Sequence, residues 1–521
     1  AAGVRRAVIS PGSRSTPLAL ALLRQPGLTC HVAVDERSAA FFALGLARAD
    51  GIPPLVLATS GTAVANWLPA VAEASAGAVP ILFVSADRPP ELHGCGANQT
   101  IPQAGMFSPY VRASHVLEAP AGDFDARFAT ALAARAFDQA CWPLPGPVHL
   151  NHPFREPLVP PAGESTLVSP TDSRPLVAVS RPLPSIDPEL VADIAARISG
   201  GRGAIVCGEM RPDAAFAERV SALAAQLDCP ILAEPLSGLR FGSHDRSRLV
   251  VRYNRWPEST AAREVTRPDW VLRFGSWPVT RRLQDCVSAA GMHILIDPLP
   301  RWSDPSHGLA CLLRADPAAA CAALLDARPV ASPAGWQALW SELEAKTARD
   351  DEAQHWVPAL LSILPPAQAV FVGNSLPIRQ LDSFSGSAGK PLRFFGNRGA
   401  SGIDGNVSTA LGIAAVSGSV VAIIGDLTCQ HDIGGLALAR GLDAVIVVVN
   451  NGGGRIFEHL PQAALPEFDQ GWRTPQYIDF AAAARTFGVA YARCNAAGDL
   501  GVAVQAALHA GGPHLVELIE T

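Results

Sequence analysis

Short runs of β-branched and other apolar residues alternate with longer Ala- and Leu-rich stretches along nearly the whole chain. That alternation restricts the fold more than any other feature. In the first third, Arg6–Ile9, His31–Val34, Leu55–Ala58, Ile81–Val84 and Val148–Leu150 read as strands, with Ser38–Arg48 and Ala63–Ala76 as helices between them. The series restarts at Ala204–Cys207, Pro230–Ala233, Trp270–Phe274 and His293–Ile296. It restarts again at Ala369–Val372, Leu392–Phe395, Val420–Ile424, Ala444–Val449 and His514–Leu518. Strands joined by helix-length crossovers lie parallel, in sheets covered on both faces. The expected fold class is α/β, with three doubly wound parallel-sheet domains over residues 1–160, 185–328 and 335–521. The Pro-rich stretch Pro153–Pro188 and the irregular zone Ala327–Gly335 read as the breaks between them. A chain of 521 residues is in any case too long for a single core.

Charge and composition exclude some classes of function. The net charge is −6 and no basic block occurs, which argues against a nucleic-acid partner. Any anionic ligand must then be met by local arginines. The longest apolar run, Ala444–Val449, is strand-length, far short of the roughly 20 residues that span a bilayer. No membrane association is expected. Ala1 to Ile9 has no apolar signal-peptide core, and the ten cysteines form no CxxC pair. A soluble, cytoplasmic enzyme with reduced thiols is the expectation.

Ligands of such folds sit at the carboxyl ends of the strands. The strand Val420–Ile424 runs into Gly425-Asp426-Leu427, and Ala444–Val449 runs into Asn450-Asn451-Gly452-Gly453-Gly454. Asp426 and Asn451 are 25 residues apart, room for one helix near Asp432–Arg440 and a return strand. Neighbouring parallel strands would bring both to one sheet edge. A carboxylate, an amide oxygen and a free carbonyl suit a hard, octahedral cation that shares phosphate ligands. The glycines would let the backbone approach a diphosphate. The same residues also suit two ordinary strand–helix turns, with Asp and Asn as caps. Spacing alone leaves both readings open.

The Gly-Asp turn and the later Asn-Asn pair resemble the cofactor motif of the thiamine-diphosphate enzymes, the superfamily of pyruvate decarboxylase and acetolactate synthase. The superfamily usually has glycine where this chain has Leu427. Four further stretches resemble one branch, the menaquinone-pathway synthases: Ser10–Pro17, Thr59–Asn66, Ala86–Leu92 with Gly96–Gln99, and Asn397–Gly405. The resemblance implies Mg²⁺ or Mn²⁺ held by Asp426, Asn451 and the carbonyl of Gly453. It implies thiamine diphosphate contacted by Ser60, Gly61, Thr62, Gly425, Leu427, Ile403, Ile456 and Phe457. Ile403 would hold the cofactor in its bent shape, although ordinary core packing suits it as well. Ile456 and Phe457 would wall the pocket or merely staple a helix.

Glu36 follows the strand His31–Val34 in Asp35-Glu36-Arg37. By resemblance it is the catalytic glutamate that hydrogen-bonds the aminopyrimidine ring, so that the imino nitrogen can remove the thiazolium C2 proton. Read alone, Asp35 and Glu36 simply favour a helix N-terminus. The superfamily assembles each site from the first-third domain of one subunit and the last-third domain of another, so a homodimer or homotetramer is implied.

The implied substrates, 2-oxoglutarate and isochorismate, are dicarboxylates, which the planar fork of arginine grips best. Ser375 and Arg379 lean by resemblance toward 2-oxoglutarate, and Ser13, Arg14, Arg88, Asn98, Gln99 and Arg282 toward isochorismate. Arg281 and Arg398 complete the substrate set, though Arg281 alone also reads as a solvated charge. The implied reaction is decarboxylation of 2-oxoglutarate on the cofactor and 1,4-addition of the succinyl carbanion to isochorismate. The competing readings are an acetolactate-type carboligase or decarboxylase and a non-catalytic relative; the arginines speak against the first, intact Glu36, Asp426 and Asn451 against the second.

Overall fold

The computed structural model describes residues 3–120, 126–161, 177–182, 186–211, 213–256, 264–348 and 355–520. Part of the stretch read as a break at Pro153–Pro188 lies outside them. Three six-stranded sheets make up the fold, and all registers described are parallel. The expected α/β class therefore holds.

The first sheet consists of β1 (Arg6–Ile9), β2 (Thr29–Val32), β3 (Leu55–Ala58), β4 (Ile81–Asp87), β5 (Ala113–Val116) and β6 (Pro147–Pro153), in the order β2-β1-β3-β4-β6-β5. The second contains β7 (Gly203–Cys207), β8 (Ile231–Ala233), β9 (Leu249–Val250), β10 (Trp270–Phe274), β11 (Met292–Ile296) and β12 (Leu309–Leu313), ordered β12-β11-β10-β7-β8-β9. The third contains β13 (Ala369–Val372), β14 (Arg393–Phe395), β15 (Ser419–Gly425), β16 (Asp443–Asn450), β17 (Ala490–Cys494) and β18 (Pro513–Ile519), ordered β14-β13-β15-β16-β18-β17.

Four strands were absent from the sequence expectation: β5, β9, β12 and β17. Every one is an outermost strand of its sheet. Three of them expose part of their length, so their residues need not be uniformly apolar, and β9 has only two residues. Other expectations shift. The strand expected at His31–Val34 is Thr29–Val32, and the following helix begins at Glu36 rather than Ser38 and ends at Asp50. The helix expected over Ala63–Ala76 is two, Thr62–Ala65 and Leu68–Ala76, because Pro69 lacks the N–H that a continuous helix needs. The helix expected near Asp432–Arg440 is instead a helix over Asp426–His431 followed by a 3₁₀ segment over Ile433–Ala439. At Gly435 a Cβ would lie 2.5 Å from Ser408 Oγ, so glycine lets this segment pass close to helix Asn406–Ser417.

By its internal contacts the chain divides into two compact units. One comprises residues 1–181, 397–492 and 507–517, and the other residues 182–396, 493–506 and 518–521. In the first, helix Glu36–Asp50 is buried all round from Ser38 to Ala47 and crosses the equally buried start of helix Asn406–Ser417. Glycines make the crossing close. A Cβ on Gly45 would lie 2.0 Å from the Thr409 carbonyl oxygen, and one on Gly412 would lie 2.0 Å from that of Phe42. Phe41, Phe42, Leu44 and Leu46 are buried in this helix, each contributing about 1.5–3 kcal/mol by leaving water. The second unit has its own core around Val206, Leu223, Trp270, Ile294 and Trp340. Among the described residues, no helix is long and apolar enough to cross a membrane.

Candidate active site

Residues at the carboxyl ends of β15 and β16 form a cradle in the first unit. The two strands pair in parallel from Ser419–Asp443 to Gly425–Val449, so both reach the same edge. Asp426, 5% exposed, begins a short helix just beyond β15. Its Oδ1 accepts the Leu427 N–H and its Oδ2 the Gly453 N–H, both at 2.8 Å. Burial pushes this carboxyl group above the usual aspartate range, while the backbone N–H groups work in the opposite direction. A cation beside it would offset the burial cost.

Asn450 turns away from the cradle, accepting the Gly452 N–H and donating to Glu517. Asn451 does the reverse: its Oδ1 is buried without a partner among the described residues. A buried acceptor without a protein partner calls for a water, an ion or a ligand. Gly453 has φ +128°, and a Cβ on it would strike the Arg473 carbonyl oxygen at 2.3 Å. The backbone is thus held open toward the cradle in a conformation that glycine favours. Among the described residues, no group of three or more His, Cys, Asp or Glu side chains could hold a metal. One carboxylate, one bare amide oxygen and glycine backbone instead suit a hard cation that takes its other ligands from phosphate and water. The residues present fit a Mg²⁺–diphosphate group. Ile456 and Phe457 follow on a 3₁₀ turn, half-buried, with the Phe457 ring against Gly454.

Glu36 is the first residue of its helix, half-buried, while Asp35 caps the helix by accepting the Arg37 and Ser38 N–H groups. The capping role therefore falls to Asp35, and Glu36 is left for other work. At the same helix end, Arg37 donates to the His431 carbonyl and Ser38 to Asp432. Ile403 is half-buried in the loop ahead of helix Asn406–Ser417.

The loops after β1, β3 and β4 gather several more of the expected residues. Arg14 donates to the Phe154 carbonyl at 3.0 Å and pairs with Glu156 at 3.3 Å. Arg88 donates to Ser60 Oγ, Ser60 donates to the Gln99 carbonyl at 2.9 Å, and Gln99 Nε2 returns a bond to the Ser60 carbonyl at 2.9 Å. Burial, and next the nearness of Arg14, lower the Arg88 pKa, opposed by Asp87 and Glu156. Two guanidinium groups that repel each other this way would gain from a shared anion. Ser13, Asn98 and Gln99 are exposed on these loops, as is Thr62 at the start of the short helix Thr62–Ala65.

In the second unit, Ser375 precedes helix Leu376–Phe384 at φ +73°, and Arg379 donates back to the Ser375 carbonyl at 2.8 Å. Arg282 donates to the Trp256 carbonyl at 3.2 Å. Arg281 is 85% exposed and paired with Asp285 one turn on, as a solvated charge would be.

Sequence reasoning missed the buried polar groups that support these loops. Gln103 accepts the Gly61 N–H and donates to the Ala86 carbonyl and to Asn151; Asn151 in turn donates to Asp87, which accepts the Arg88 N–H. Asp432 accepts from Ser408 N–H and Oγ, and burial raises its pKa to about 6. Glu73 is 3% exposed on helix Leu68–Ala76. Its one legible signal was a carboxylate on the stripe of Ala70, Ala74 and Gly77, which is otherwise small and apolar.

Comparison with known proteins agrees with this geometry. Residues 1–106 match the model of the thiamine pyrophosphate enzyme N-terminal TPP binding domain, and residues 383–518 that of the C-terminal TPP binding domain. A 2-succinyl-5-enolpyruvyl-6-hydroxy-3-cyclohexene-1-carboxylate synthase of Dechloromonas aromatica is 55% identical over 99% of this chain and 96% of its own length. Proteins of the same name from Geobacillus kaustophilus and Halobacterium salinarum are 41% and 40% identical over 99% of this chain, and 92% and 93% of their own lengths. For the fold alone, an X-ray structure of a candidate thiamin diphosphate-dependent enzyme from Mycobacterium smegmatis superposes with a TM-score of 0.73 at 22% identity, over 99% of this chain and 96% of that one. Relatives that match over 99% of the chain, together with the two matching domain models, place this chain in the 2-succinyl-5-enolpyruvyl-6-hydroxy-3-cyclohexene-1-carboxylate synthase family of thiamine pyrophosphate enzymes.

Proposed function

We propose that the chain decarboxylates 2-oxoglutarate and adds the resulting four-carbon unit to isochorismate, as a homodimeric or homotetrameric cytoplasmic enzyme of menaquinone biosynthesis. The observation that carries the reading is that a chain 55% identical to a 2-succinyl-5-enolpyruvyl-6-hydroxy-3-cyclohexene-1-carboxylate synthase has Asn451 Oδ1 buried without a partner among the described residues, at the sheet edge where Asp426 also lies. Thiamine diphosphate, when bound, supplies the electron sink for decarboxylation of a 2-oxo acid. Asp426, Asn451 and the Gly453 carbonyl hold the divalent cation, with Ser60, Gly61, Thr62, Gly425, Leu427, Ile403, Ile456 and Phe457 around the cofactor. Glu36 holds a proton at the aminopyrimidine nitrogen. Ser375 and Arg379 orient the carboxylates of 2-oxoglutarate. Ser13, Arg14, Arg88, Asn98, Gln99, Arg281, Arg282 and Arg398 orient the second substrate and neutralise two dianions, so that positioning and electrostatics carry the protein's share. We assign residues 1–160 to pyrimidine binding, 185–328 to a central domain and 335–521 to diphosphate binding. Val32 and Val34, 58% and 84% exposed beside Glu36, support a second copy covering this edge.

The test is isochorismate loss, followed by ultraviolet absorbance, in the presence of thiamine diphosphate, Mg²⁺ and 2-oxoglutarate. Omission of any one component, or Glu36→Gln, should abolish it. Turnover of pyruvate with isochorismate untouched would favour the acetolactate-type alternative. No turnover and no cofactor binding by calorimetry would favour a non-catalytic relative.

A further inference from the structure

Glu73 has no role in the chemistry described above, yet its carboxylate is among the most heavily engaged in the first unit. Oε1 accepts the Gly399 N–H at 2.8 Å, and Oε2 accepts those of Ala400 at 2.6 Å and Ser401 at 3.2 Å. Arg48, on the buried helix that begins with Glu36, donates to Oε1 at 2.7 Å. Three successive backbone N–H groups thus wrap a side-chain carboxylate as a loop wraps a bound anion.

The loop is moulded around this contact. A Cβ on Gly399 would lie 2.5 Å from the Glu73 carbonyl oxygen and 2.5 Å from Gly77 N. Ser401 is held at φ +62°, a conformation costly for a residue other than glycine. At the far end, Gly405 has φ +62° and lies so close to Phe41 that a Cβ would reach 1.9 Å from its ring. A buried ion pair is seldom the most stable filling for a helix face, because desolvation offsets much of the attraction. An apolar residue at 73 would serve the helix better, so the carboxylate serves the loop.

We infer that Glu73 is a positioning residue: it holds residues 399–401 so that Arg398 and Ile403, on either side of the gripped triplet, meet substrate and cofactor. This rests on the proposed function, in which Arg398 and Ile403 have those roles. Glu73→Gln keeps the size but removes the charge and one acceptor. Glu73→Asp keeps the charge and withdraws it by one methylene. Two measurements decide the matter. Amide hydrogen exchange of the cofactor-free chain, read by mass spectrometry over residues 398–405, should quicken at least about tenfold in both variants. Per folded molecule, kcat should fall about tenfold, equivalent to about 1.4 kcal/mol of barrier. Thiamine diphosphate affinity by calorimetry should fall far less than the roughly 100-fold expected for loss of Asp426, since the cradle is untouched and only the Ile403 contact is loosened. Unchanged exchange, or unchanged kcat in folded variants, overturns the inference. So does failure of both variants to fold, because the carboxylate would then be a requirement of the fold rather than of the loop. An inactive wild-type chain would overturn the proposed function instead, while the exchange measurement would still report whether Glu73 holds the loop.

Discussion

Two buried polar clusters, one in each compact unit, differ in a way that separates a site from a strut. In the second unit Arg240 is 0% exposed and fully spent. It donates to the Ala233 and Asp382 carbonyls, to Ser385 Oγ, to Tyr253 Oη and to the Asp382 carboxylate. Asp382 also accepts from Tyr253 at 2.6 Å and from Asn254 at 2.7 Å. Burial, and then Asp382, raise the Tyr253 pKa, so the hydroxyl stays protonated and able to donate. In the cradle of the first unit, Asp426 is just as hidden but held by backbone N–H groups alone, and Asn451 Oδ1 has no partner among the described residues. Burial does not distinguish the two clusters; satisfaction does.

The contrast can be broken at several points. The largest effect is expected from Asp426→Ala, which should weaken thiamine diphosphate binding in Mg²⁺ by about 100-fold or more in calorimetry. The cofactor-free melting temperature should hold or rise, since a buried carboxylate is removed; a fall in stability with affinity intact would make the cradle a strut. Asp382→Ala should do the opposite. It strands a buried guanidinium, so chemical denaturation should show a loss of roughly 3–5 kcal/mol with cofactor affinity of the folded chain unchanged.

A smaller effect concerns Asp432, whose folded pKa is raised to about 6 from an ordinary 3.8 by burial. Between those values the folded chain holds a proton that the unfolded chain releases. Its contribution to stability is therefore full below the unfolded value and lost as pH rises through the folded one. Denaturation midpoints of wild type and Asp432→Asn should diverge from about pH 4 to 6 and run parallel above; a constant difference throughout would refute the shift. The smallest effect belongs to Arg281→Ala, within about 0.5 kcal/mol of wild-type stability. Any change it makes should appear only in the KM for isochorismate.

What could be read from the sequence follows from how locally each feature is encoded. The central strands were legible because a strand covered on both faces must be a continuous apolar run, as Val420–Ile424 and Ala444–Val449 are. Of the edge strands, β5 and β17 were not, since polar residues interrupt them, nor was β9, which has only two residues; β12, Leu309–Leu313, is apolar throughout, and its run alone did not mark it as a strand. Pro69 stood in plain view inside the stretch read as one helix, yet it ended up near the start of a second. That Asp426 and Asn451 lie at one sheet edge could be read in advance, because adjacent parallel strands make it a matter of counting residues.

The sequence by itself determined the α/β class, the strand ends proposed to hold the cofactor and the motifs that mark the family, since each is written in contiguous residues. Only the tertiary structure decided which polar groups are satisfied. Glu73 meets Gly399, Ala400 and Ser401 across more than three hundred residues of chain, and Arg240 meets Asp382 across more than a hundred. Side-chain type says that a group can form a hydrogen bond. Whether its partner is a helix, a loop or an absent ligand depends on distances that no local pattern contains.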